Sequence, residues 1–201
     1  ISTLFLINEN EKISGTFESV LGTTESTEMR NDLRTTNKDE YFKNLKKDYP
    51  FDVSISNARI DSIDDKEMPL KIAYDLSFTT GGDIIYFNPM ATGIYSENPF
   101  KAAERSYPVE MPHCIDDSYI LNMQIPEGYK VDELPKSARV TLNGNEGMFE
   151  YLIQQNENGI QMRCRTKLNQ ATFEPNDYET LRNFFAFIVQ KESEQIVFKK
   201  Q

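Results

Sequence analysis

Along residues 70–79 apolar and polar side chains alternate. Leu70, Ile72, Tyr74, Leu76 and Phe78 fall on one face, and Lys71, Asp75, Ser77 and Thr79 on the other. Successive side chains of extended backbone point to opposite faces, so this stretch predicts a strand with one buried face. The same period recurs at Tyr119, Leu121, Met123 and Ile125. It returns at Ile160, Met162, Cys164 and Leu168, opposite Gln161, Arg163, Arg165 and Lys167. That phase makes Cys164 a core cysteine. Residues 148–155 and 160–168 flank Asn156-Glu157-Asn158-Gly159 and predict a hairpin. Phe5 and Ile7, then Ile13, Phe17 and Leu21, predict another around the polar break at 8–12. Gly81-Gly82-Asp83 predicts a turn into a strand at 84–87 that Pro89 ends, because proline cannot donate to a ladder.

Elsewhere the period lengthens. Asn37-Lys38-Asp39-Glu40 has the spacing of a capping box, and Tyr41, Phe42, Leu45 and Tyr49 then recur at helical intervals as far as Pro50. Met29 and Leu33 suggest a preceding helical turn. Pro175 suits a first helical position, and Tyr178, Leu181, Phe184, Phe185, Ile188 and Val189 share one arc at about 100° per residue. Phe187 lies off that arc. Either another layer of this chain covers it, or it faces a different domain and marks a domain interface. A short strand at 196–198 ends the chain.

These elements predict a mainly β fold, antiparallel and sandwich-like, with two or three helices packed on the sheets. Pro89, Pro99, Pro108 and Pro112 crowd the stretch 88–112 and suggest a division. Residues 1–105 would form a β-rich segment with a helical insertion, and residues 106–201 a C-terminal β domain with a helix near 175–193. No internal repeat is evident.

Composition narrows the possible functions. The 201 residues carry 32 acidic and 22 basic side chains, a net charge of −10 that repels phosphate backbones, so nucleic acid is not an expected partner. No apolar run is long enough for a transmembrane helix. The opening at Ile1, without Met, suggests that something upstream is removed.

Candidate chemistry is sparse. The lone histidine, His113, stands beside Cys114, but adjacent residues of an extended segment point apart, and a catalytic thiol needs a base within reach. Zinc wants clustered Cys and His ligands, which a single histidine and two separated cysteines do not supply. Asp61, Asp64 and Asp65, or Asp116 and Asp117, could offer oxygens to calcium, yet neither run matches an EF-hand loop. Without tryptophan a sugar-stacking platform is weakened. Cys114 and Cys164 could form one bridge or stay two thiols, the latter being the usual state of a distant pair. Arg163, Arg165 and Lys167 read as a solvated strand face, or as a strip for an acidic partner. No catalytic, cofactor-binding or metal residue is expected, and the chain is not expected to be an enzyme.

Several short words carry a resemblance: Asn98-Pro99-Phe100-Lys101, Arg105-Ser106-Tyr107-Pro108-Val109, Ile125-Pro126-Glu127-Gly128-Tyr129 and Glu133-Leu134-Pro135. With Tyr178, Leu181, Phe184 and Phe185, then Glu194-Gln195-Ile196-Val197, the chain resembles the C-terminal region of large secreted proteins of Gram-negative bacteria. Those proteins carry a transglutaminase-like core followed by a β-rich domain of unknown function. The resemblance implies a periplasmic or cell-surface location, an upstream transglutaminase-like partner domain in the same polypeptide, and catalytic residues that lie in that core. Cys114 departs from the pattern. The expected role is a non-catalytic accessory module that packs against the core or shapes access to it. An independent binding module for cell-envelope protein or glycan is the alternative.

Overall fold

The computed structural model describes every residue except 10, 11, 92–94 and 158. In the first part of the chain β1 (Ser2–Glu9) and β2 (Lys12–Val20) form a hairpin, followed by α1 (Thr23–Asp32), α2 (Lys38–Leu45), β3 (Ser54–Asp61), β4 (Lys71–Thr79) and β5 (Ile84–Phe87). Beyond a long connection come β6 (Val109–Glu110), β7 (Ile115–Met123), β8 (Tyr129–Glu133), β9 (Ala138–Leu142), β10 (Gly147–Asn156), β11 (Gly159–Leu168) and β12 (Thr172–Phe173). The chain ends with α3 (Tyr178–Glu192) and β13 (Ile196–Lys200).

Eight strands make one sheet in the order β3-β4-β2-β1-β7-β11-β10-β9. Four of them precede residue 105 and four follow it, so the segments 1–105 and 106–201 share this sheet. Its centre is the pairing of β1 with β7, which is parallel, whereas the other described pairs are antiparallel. A parallel pair needs a crossover, and everything between β2 and β7 supplies it. A second sheet, β5-β13-β8, also joins the two segments.

Cross-strand register carries one apolar face across the large sheet. Leu76 of β4 stands opposite Gly15 of β2 and Ile55 of β3; Leu121 of β7 stands opposite Leu4 and Met162; Cys164 stands between Tyr119 and Tyr151. In the first hairpin Leu4 and Leu6 face the core and Phe5 is 51% exposed, because their β7 partners Leu121 and Met123 are buried. Gly15 is required where it is, since a Cβ there would run into the backbone carbonyl oxygen of Phe5, which cannot swing aside as a side chain can.

The second layer covers that face. Phe42 of α2 stands edge-on to Tyr74 (6.0 Å), Phe87 of β5 stacks on Phe78 (6.2 Å), and α3 lies over β10 and β11. The Asn37 cap forms as its spacing predicts, accepting the Glu40 N–H (2.9 Å). The result is mainly β and sandwich-like, with three α-helices among the described residues.

Candidate functional site

α3 positions Phe187 at the margin of the core. The side chain is half-buried, its ring edge-on to Phe149 of β10 with centroids 6.1 Å apart. It also lines a groove of about 670 Å³ together with Tyr86, Leu134, Pro135 and Val197. The register explains these neighbours: Tyr86, Val197 and Glu133 stand side by side across β5, β13 and β8, on the face turned away from buried Phe87 and Ile196. Tyr86 is 64% exposed. Lys191 lies at the groove too, but its ammonium is engaged, 2.6 Å from Glu194 and 5.1 Å from the Tyr151 ring centroid. The groove therefore mixes apolar and aromatic surface with polar lining, including Gln190, Ser193, Gln195 and the charged Glu133, Lys136 and Glu194. Residues 84–87 are apolar throughout, so no alternation marked Tyr86 as outward, and no periodicity marked Leu134.

Beneath the last turn of α3 lies a buried polar cluster. Cys164 is buried, its Sγ 3.9 Å from Glu192 Oε1. Burial, and then the neighbouring Glu192 carboxyl, hold the thiol far above its ordinary range. Since the thiolate is the nucleophile, this geometry makes Cys164 unreactive. Glu192 is 2% exposed, and burial pushes its carboxyl up to about 7 despite the Tyr95 N–H donating to Oε2 (3.2 Å). The hydroxyls of Tyr119 and Tyr151, flanking Cys164 in the sheet, have no protein partner among the described residues.

The remaining sequence candidates separate in space. Cys114 is exposed and both cysteines are free thiols. His113 Nδ1–H donates to the Cys114 carbonyl oxygen (2.8 Å), so the ring is turned to the backbone. Asp116 is held by Arg165 through two hydrogen bonds (2.8 and 2.9 Å), which lower its pKa and neutralise part of the Arg163–Arg165–Lys167 strip. Asp117 points to the other face of β7, where burial raises its carboxyl. Asp61 approaches Arg59, and Asp65 accepts the Glu67 N–H. Among the described residues no three His, Cys, Asp or Glu side chains converge as a metal site would need, and no helix is long and apolar enough to cross a membrane.

Residues 83–198, which take in the groove, α3 and most of β13, match the model of a domain of unknown function with a solved structure, DUF3858. The chain belongs to the DUF3858 family. A crystal structure from Parabacteroides distasonis ATCC 8503, of a protein described as a candidate protease, is 19% identical with a TM-score of 0.43. That match covers 49% of this chain and 19% of the other, so the DUF3858 chain corresponds to a small part of that protein's length. No curated protein matches the chain.

Proposed function

We propose that this DUF3858 chain is a non-catalytic accessory module of a secreted, transglutaminase-like bacterial protein, and that it docks against the upstream core through the groove beside α3. The observation that carries the reading is Tyr86, 64% exposed, standing with partly buried Phe187 and with Leu134, Pro135 and Val197 in a concave groove whose other lining is mostly polar. Aromatic side chains in a concave, polar-rimmed surface are the usual anchors of a protein interface. The words resembling transglutaminase-like proteins supply the partner, and with it export to the periplasm or cell surface. The sealed Cys164 thiol and the His113 ring turned to backbone support a role without acyl-transfer chemistry in this chain.

Urea unfolding of Tyr86→Ala tests the docking. In the isolated chain, loss of an exposed side chain should change stability by less than about 0.5 kcal/mol. In the longer polypeptide that this reading requires, the same substitution should cost 1 kcal/mol or more, on the order of an interface aromatic. Equal effects in both proteins would exclude the groove as the docking face and leave an independent binding role. Thiol-dependent turnover by the isolated chain that disappears in Cys114→Ser would contradict the non-catalytic reading.

A further inference from the structure

Two rows of side chains meet on the open face of the large sheet, the side turned away from α3. Register sets the first: Phe5 of β1 stands beside Asn122 of β7, Asn122 beside Gln161 of β11, and Gln161 beside Gln154 of β10. At about 4.8 Å per strand this row is about 14 Å long. Two residues along the same strands runs the second row, Ile120, Arg163 and Leu152. Phe5 is 51% exposed and Leu152 43%. A depression of about 480 Å³ is lined by both rows, and a smaller one of about 210 Å³ joins Phe5 to Asn122 and Gln161.

The arginines of this face are paired, with one exception. Arg165 bonds Asp116 (2.8 and 2.9 Å), Arg139 lies 3.9 Å from Glu150, and Arg59 lies 3.5 Å from Asp61 and 3.7 Å from Glu18. Arg163 has no carboxylate within ion-pair distance among the described residues. Since Lys167 also stands beside Asp116, Arg163 is the uncommitted cation of the Arg163–Arg165–Lys167 strip. The amides beside it keep hydrogen-bonding capacity. Gln154 Nε2 donates to Gln161 Oε1 (3.2 Å), which leaves Gln154 Oε1, Gln161 Nε2 and the Asn122 amide to bond outward. β1, β7 and β11 are each paired on both sides, so their backbones have nothing left for an added strand. Whatever binds here is read by side chains.

We propose that this face binds a carboxylated sugar chain, an oligosaccharide containing uronic acid. A sugar ring lies against Phe5, its hydroxyls exchange hydrogen bonds with Asn122, Gln161 and Gln154, and a carboxylate pairs with Arg163. Hydroxyls, like primary amides, donate and accept at once, so the two match. The guanidinium fork fits a carboxylate. A single free cation among neutral groups suits a ligand whose charges are spaced between hydroxyls, not a densely charged one. The face lies across the sheet from α3, so sugar binding goes beyond docking at the groove and does not depend on it.

An NMR titration of the 201-residue chain tests this, following side-chain amide signals. The probes are the trimers of galacturonic, glucuronic and mannuronic acid, with maltotriose as an uncharged sugar and triglutamate as an acidic peptide. At least one uronate trimer should shift the Asn122, Gln154 and Gln161 signals and leave those of Gln190 and Gln195 in the groove unmoved. Arg163→Gln, which removes a charge-assisted bond, and Phe5→Ala should each weaken that binding about tenfold or more. The proposal is overturned if no uronate trimer moves the three signals at millimolar concentration, or if either substitution leaves the affinity unchanged. Maltotriose binding as tightly would remove the carboxylate from the account, and triglutamate binding as tightly would make the face a site for acidic peptide; each contradicts the proposal.

Discussion

Leu76 and Asp75 are neighbours in β4 with opposite environments. Leu76 is 2% exposed and packs in the row with Gly15 and Ile55, so Leu76→Ala should cost about 2–5 kcal/mol as a core truncation. Asp75 faces the open side, where its carboxylate accepts from Thr16 Oγ1 (3.3 Å) and Asn57 Nδ2 (2.6 Å). Its removal should cost no more than about 1 kcal/mol, the worth of exposed hydrogen bonds. Equal denaturation midpoints for the two variants would contradict the strand phase. Two buried tyrosines make a second comparison. The Tyr74 and Tyr49 hydroxyls bond each other at 2.7 Å, so Tyr74→Phe strands Tyr49 and should destabilise by about 1 kcal/mol. Tyr151→Phe removes a hydroxyl without a protein partner and should be neutral or stabilising in the same unfolding assay. Glu192 adds a pH term. A carboxyl raised from 4.5 to about 7 subtracts roughly 3 kcal/mol of stability between those values, so Glu192→Gln should grow more stable relative to wild type as pH rises from 5 to 7.

At the scale of elements, periodicity succeeded where one face is buried and its period is unbroken. β4, β7, β10 and β11 follow their alternation, and α2 starts at its cap; Asn37→Ala should lower the thermal midpoint, with a cost of about 1 kcal/mol. Five strands gave no such signal, β6 and β12 because two residues are too few to show a period. β3 is an edge strand with Ile60 as its one buried residue, and a bulge between Ser56 and Arg59, with Asn57 at φ 50°, breaks its period. β8 and β9 are short edge strands, and edges bury too little to be patterned. The first hairpin was legible in position but not in phase: Leu4 and Leu6 point inward because β7, more than a hundred residues away, pairs beside them. Local pattern cannot contain that contact.

For the whole molecule, the candidate site was legible by one residue. Phe187 stood out because it left the helical arc, and it lines the groove; Tyr86 and Leu134 come to the same place through β5 and β8 of the small sheet. The Glu192–Cys164 cluster escaped the sequence reading because a lone glutamate at a helix end reads as solvated until β11 is laid beneath it. The central claim, that the groove is a docking face for an upstream domain, is tested most directly by hydrogen–deuterium exchange of the isolated chain against the longer polypeptide. Residues 84–87, 133–138 and 187–197 should gain protection in the longer protein while β3, at the far edge of the large sheet, stays unchanged. Unchanged exchange along the groove, with protection appearing elsewhere or nowhere, would contradict it.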